Sequence, residues 1–201
     1  METAFRSEEL FTQQEFHLWL TSVPASEVRN YELVNGRIVM SPPADFRHGL
    51  VESRLQRLIA PHVHQRALGL TLGSTTAYDL PTGDTLQPDF SFVSRERWDA
   101  GPRPADDDEG FARIVPDLVA EIVAPSSVRR DRIEKRLIYA RAGVREYWLV
   151  DPAEGEVQVF SNLGDRFDEP RVVTTGAIAS RVLPGVPVTV EELLAEPSVA
   201  S

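Results

Sequence analysis

The sequence predicts an α/β chain of the α+β kind, a mixed central sheet flanked by helices. Three observations predict it. Asn35-Gly36 stands between the short apolar runs YELV and RIVM, the mark of a tight antiparallel hairpin. Two long stretches, 45–69 and 128–142, carry apolar residues at helical spacing. Around them lie short apolar runs bounded by Pro, Gly and Asp, which read as strands. That order fits one domain, 1–201, with residues 1–30 as a helical extension and 31–195 as the core.

The elements follow in order. FTQQEFHLWL, 11–20, reads as a helix, because Thr12 and Glu15 have capping-box spacing. The hairpin comes next. The helix over 45–69 presents Leu50, Val51, Leu55, Leu58 and Ile59, ends at Gly69, and should be kinked or split at Pro61. His62 and His64, two apart, make a poor metal pair and read as surface histidines. LTLGSTTAYDL, 70–80, reads as one strand, and PTGDT as a turn. QPDFSFVS, 87–94, is a strand with Phe90 and Phe92 on one face and Asp89, Ser91 and Val93 on the other. Residues 99–113 form an acidic loop whose run Asp106–Glu109 lacks calcium-loop spacing and reads as solvated. PDLVAEIVAPSS, 116–127, is the most apolar strand; the helix 128–142 follows, with Gly143 as C-cap. EYWLVDP (146–152) and VQVFS read as strands, then a strand at 171–175 and a short helix at VEELLA.

Composition limits the function. The net charge of −10 argues against broad electrostatic attraction to nucleic acid, although a local basic groove remains compatible with it. The absence of cysteine excludes disulfides, thiolate metal sites and cysteine nucleophiles. No apolar run approaches the ~20 residues that span a bilayer, and METAFRSEELF lacks the pattern of a secretory signal. A cytoplasmic protein without a membrane partner is expected. Of the 21 basic residues 20 are Arg, and Lys135 is the single lysine.

Phosphate-cradling glycine loops, a G-x-S-x-G elbow and zinc-spaced histidines are all missing. The remaining chemistry is acidic. In the strand from 116, Asp117, Val119, Glu121 and Val123 share one face, and Leu118, Ala120 and Ile122 the other. A carboxylate deep in a central strand must be paired, hydrogen-bonded or bound to a metal. If strands 87–94 and 116–123 are neighbours, Asp89 and Glu121 converge, either on a cation or on a structural partner. On the following helix Ile133, Leu137, Ala140 and Val144 make an apolar stripe, while Lys135 falls opposite it with Asp131, Ile138, Tyr139 and Ala142. Lys135 then either pairs with Asp131 at i,i+4 or stands beside the carboxylates. There it would orient or deprotonate a water, or offset charge in a phosphodiester transition state.

The pieces YELVNGRIVMSPP, QPDFSFVSRERW, PDLVAEIVAPSS, the D-x-x-x-K of 131–135 and YARAGVREYWLVDP, in that order over 31–195, resemble the Uma-two family within the PD-(D/E)XK restriction-endonuclease-like superfamily. The resemblance implies a restriction-endonuclease-like sheet with the active site on one edge. It implies an endonuclease dependent on Mg2+ or Mn2+ that acts on nucleic acid, with DNA the expected substrate. The alternative is an inactive nuclease-like fold that binds nucleic acid or protein. By motif position Asp89 and Glu121 match the metal ligands and, with Lys135, the catalytic set. The usual lysine two residues after the acid is replaced by Val123, and Lys135 on the next helix takes its part. Glu32, His48 and Asp117 match supporting positions; the alternatives for Glu32 and His48 are a hairpin surface carboxylate and a helix-cap histidine, and Asp117, at the start of its strand, is expected in a structural role or in one that supports the ligands. Tyr139 is expected in the core. The resemblance also extends to homodimers, for which the YWLV strand would be an edge.

Overall fold

The computed structural model describes residues 5–24, 30–41, 45–102, 110–123 and 129–196, with only the backbone for 129–132. The acidic run 106–109 and the APSS end of the apolar strand lie outside the described residues.

The N-terminal part builds the smaller sheet. Helix α1 (Gln13–Ser22) is capped by Thr12, and Glu15 completes the capping box. Strands β2 (Asn30–Val34) and β3 (Arg37–Ser41) form the expected hairpin. Its turn needs positive φ at both central residues, and Asn35 (50°) and Gly36 (72°) supply it. Three two-residue strands, β1 (Phe5–Arg6), β5 (Tyr78–Asp79) and β6 (Thr85–Leu86), complete the order β1-β3-β2-β6-β5.

The larger sheet has the order β11-β10-β9-β8-β7-β4. Its members are β4 (Gly69–Gly73), β7 (Phe90–Ser94), β8 (Leu118–Ile122), β9 (Glu146–Asp151), β10 (Glu156–Ser161) and β11 (Arg171–Val173). All pairs are antiparallel except β8 with β9, whose crossover is helix α4 (Arg129–Ala142). Helix α2 (Phe46–Gln65) covers one face. Its Val51, Leu55, Ile59 and Val63 meet Phe90, Phe92, Leu118, Ala120, Ile122 and Trp148, and the C-terminal segment with α5 (Val190–Leu194) closes that core. On the other face Val93, Val119 and Tyr147 pack with Ile138, Tyr139 and Ala142 of α4 and with Val34 and Val39 of the hairpin. Each fully buried side chain of this size contributes roughly 1.5–3 kcal/mol. A third, smaller cluster docks α1 through Phe16 onto Leu33 and Ile38.

Several expectations are corrected. The helix α2 is not split at Pro61; Ile59, His62 and Val63 are buried around it and hold the helix together across the missing hydrogen bond. His62 is therefore a buried residue and not a surface one. The stretch 70–80 makes two strands in different sheets, β4 and β5, separated at the Ser74-Thr75 turn. The short helix α3 (Arg95–Ala100), capped by Ser94, had no sequence signal strong enough to place it. Strand β9 lies inside the sheet between β8 and β10, so YWLV is not an edge. On helix α4 the apolar residues around Lys135, namely Ile138, Tyr139 and Ala142, are buried, and the opposite stripe is split, with Ala140 and Val144 buried and Ile133 and Leu137 48% and 42% exposed. The face that holds Lys135 carries an aromatic ring and a lysine whose charge is met by carboxylates.

Candidate functional site

Strands β7 and β8 pair with Phe90 opposite Ala120, which places Asp89, one residue before β7, across from Glu121. The strand pairing is completed by a side chain: the Ile122 N–H donates to Asp89 Oδ2 at 2.6 Å. Alternation along β8 sends Leu118, Ala120 and Ile122 into the core under α2 and leaves Val119 and Glu121 facing α4. The two carboxylates therefore share one face because of register and period alone.

Lys135 comes to them from α4. Its Nζ lies 3.2 Å from Glu121 Oε1 and 2.8 Å from Glu32 Oε1. One helical turn on, Tyr139 donates its hydroxyl to Glu121 Oε1 at 2.9 Å. Glu32 arrives from the other sheet. It shares a face of β2 with Val34, toward the larger sheet, while Leu33 points back to α1. Glu32 Oε1 also accepts the Gln87 N–H at 2.7 Å. With its side chain 4% exposed, Glu32 is not a hairpin surface carboxylate. His48, in the first turn of α2, sets Nε2 3.1 Å from Asp89 Oδ2. Its backbone N–H is held by the N-cap Asp45. Residues from β2, α2, β8, α4 and the approach to β7 thus meet at one place.

The electrostatics follow from three carboxylates and one ammonium in little water. Burial pushes the Glu121 pKa up; Lys135 opposes this, Asp89 and Glu32 add to it, and the Tyr139 hydroxyl opposes it, leaving the group at about 7. Burial disfavours the Lys135 ammonium, but the charges of Glu121 and Glu32 outweigh it and hold its pKa above the ordinary lysine value. The partners of Lys135 among the described side chains are Glu32 and Glu121. Burial likewise works against the His48 imidazolium, yet the hydrogen bond and charge of Asp89, with Glu52 and Glu121, raise its pKa.

Asp117 lies elsewhere, about 13 Å along the strand at ~3.3 Å per residue. It is fully buried; Oδ2 accepts the Ser94 N–H at 2.7 Å, and Oδ1 faces Arg97 Nε at 3.1 Å and Arg145 Nη1 at 2.9 Å, close ion pairs without hydrogen-bond alignment. Arg97 in turn donates to the carbonyls of Val115, Pro116 and Gly143. Asp117 braces the entry of β8 and takes no part in the cluster. Tyr139, expected only in the core, is both core and site. Its position four residues after Lys135 on one helix face was the signal for it.

Among the described residues no three His, Asp or Glu side chains form a group that would enclose a metal ion by themselves. Magnesium does not require one, since it keeps several waters and is commonly bound by one or two carboxylates. The donor set suits such an ion: hard oxygens of Asp89 and Glu121 on one face, with negative charge in excess of the single lysine. Asp89 and Glu121 fit a divalent cation as two ligands of a largely hydrated site.

Comparison with known proteins gives the chain a family and a shared fold. The model of the Uma2 family, described as "Putative restriction endonuclease", matches residues 13–191. Among solved structures, a crystal structure described as a putative nuclease belonging to DUF820, from Anabaena variabilis, superposes with a TM-score of 0.73 at 19% identity, covering 92% of this chain and 98% of that one. At that identity the likeness establishes a shared fold. No curated protein sequence matches the chain.

Proposed function

The chain belongs to the Uma2 family, and from that premise we propose that it is a divalent-metal-dependent endonuclease that hydrolyses phosphodiester bonds, with DNA as its substrate. The observation that carries the reading is the convergence of Asp89, Glu121 and Lys135 from β7's approach, β8 and α4, with Lys135 Nζ 3.2 Å from Glu121. Asp89 and Glu121 would hold the cation. When bound, the ion lowers the pKa of water and screens the phosphate. The protein's part is positional. The Ile122 N–H and His48 fix Asp89, and the Tyr139 hydroxyl fixes Glu121. Glu32 anchors the Lys135 ammonium, which offsets the charge that develops on the phosphate. DNA as substrate rests on the family description.

Incubation of the purified protein with plasmid, linear duplex, single-stranded DNA and RNA, each with and without Mg2+ or Mn2+, tests the proposal. Cleavage of DNA that needs metal and is lost in Glu121→Gln supports it. Binding without cleavage in every condition would favour a nuclease-like binding module.

A further inference from the structure

Tyr147 stands behind this site with no task in the reading above. It sits on β9 paired with Val119 of β8, on the face from which Glu121 projects two residues further on. Its ring lies 5.9 Å from that of Tyr139, whose hydroxyl contacts Glu121. The residue is 1% exposed, and its hydroxyl has no hydrogen-bond partner among the described residues. Burial raises its pKa, and the charges of Glu121, Lys135, Arg136 and Asp89 all act on it, so the phenol stays protonated within their field. A buried hydroxyl without a partner costs about 1–3 kcal/mol. Phenylalanine would pack against Phe160 and Phe167 in the same way without that cost.

An ammonium has three N–H donors and no acceptor. In this structure those of Lys135 go to Glu32 and Glu121. A carboxylate that turns its oxygens to a cation withdraws an acceptor from the lysine beside it. We infer that Tyr147 is a positioning residue whose hydroxyl accepts a hydrogen bond from Lys135 when Glu121 engages the metal. The lysine is then tethered between Glu32 and Tyr147 while Glu121 is occupied. The inference rests on the reading of Glu121 as a cation ligand.

Calorimetric titration with Mn2+ and metal-free thermal unfolding of the full chain test it. Tyr147→Phe should weaken Mn2+ binding about fivefold while leaving the metal-free melting temperature unchanged or higher. In a Lys135→Met background the same substitution should leave Mn2+ affinity unaltered. If that background fails to fold, Glu32→Gln with Lys135→Met takes its place, since it removes a like charge along with the lysine. A Tyr147→Phe protein with lowered metal-free stability and unaltered affinity, or with equal weakening in both backgrounds, overturns the proposal and leaves Tyr147 a core residue. Mn2+ binding unchanged in Glu121→Gln is a separate result: it removes the ligand reading of Glu121, and the role of Tyr147 with it.

Discussion

At the scale of single residues, the charge of Glu121 couples the site to stability. Its pKa in the fold, about 7, stands above the ordinary 4.5. Folding therefore favours the neutral acid. The stability it contributes is complete below pH 4.5 and is lost as pH rises through about 7. At 1.36 kcal/mol per pKa unit the loss is on the order of 3 kcal/mol. Without metal, Glu121→Gln should melt with the wild type at pH 5 and above it at pH 8; a difference independent of pH would contradict the charge balance. Lys135→Arg should lose cleavage even though charge is kept. The planar guanidinium cannot take the compact position between Glu32 and Glu121, and wild-type rates in that variant would refute a specific lysine role. Glu121 and Lys135 were legible because each was out of place in its pattern, a carboxylate inside an apolar strand and the one lysine on an apolar helix face. Glu32 was not legible from its pattern alone, since a hairpin carboxylate reads as solvated until the second sheet is laid over it.

At the scale of elements, β8 and the residue that leads into it carry two carboxylates with separate tasks. Glu121 faces α4, and Asp117 locks the strand's entry to α3 and to the loop after α4 through Arg97 and Arg145. Breaking a buried pair by removing one partner costs about 3–5 kcal/mol. Asp117→Ala should lower unfolding free energy by that order in denaturant titration and leave metal affinity near wild type; the reverse pattern would place Asp117 in the site. Period-2 alternation separated the faces of β8 correctly, because both faces of a central strand must match two different cores. The wheel of α4 marks the face that holds Lys135, but which face enters the fold is decided by Tyr139 and by carboxylates that come from elsewhere in the chain.

At the scale of the whole molecule, the site exists only because two sheets and two helices meet. The hairpin supplies Glu32, α2 supplies His48, the β7–β8 register brings Asp89 to Glu121, and the β8–α4–β9 crossover delivers Lys135. The sheet class, the hairpin and most helices could be read from local spacing. The division of 70–80 between two sheets could not, because it depends on which partner each half finds. Among the described residues no helix is long and apolar enough to cross a membrane. In the proposed function Asp89 and Glu121 act together with a divalent ion on phosphodiesters. The most direct measurement of this is the Mn2+-dependent nicking rate of supercoiled plasmid by wild type, Asp89→Asn and Glu121→Gln, with folding of each checked by circular dichroism. Nicking should need metal and should fall at least about 100-fold in both folded variants. Nicking without metal, or undiminished in either variant, would contradict the proposal.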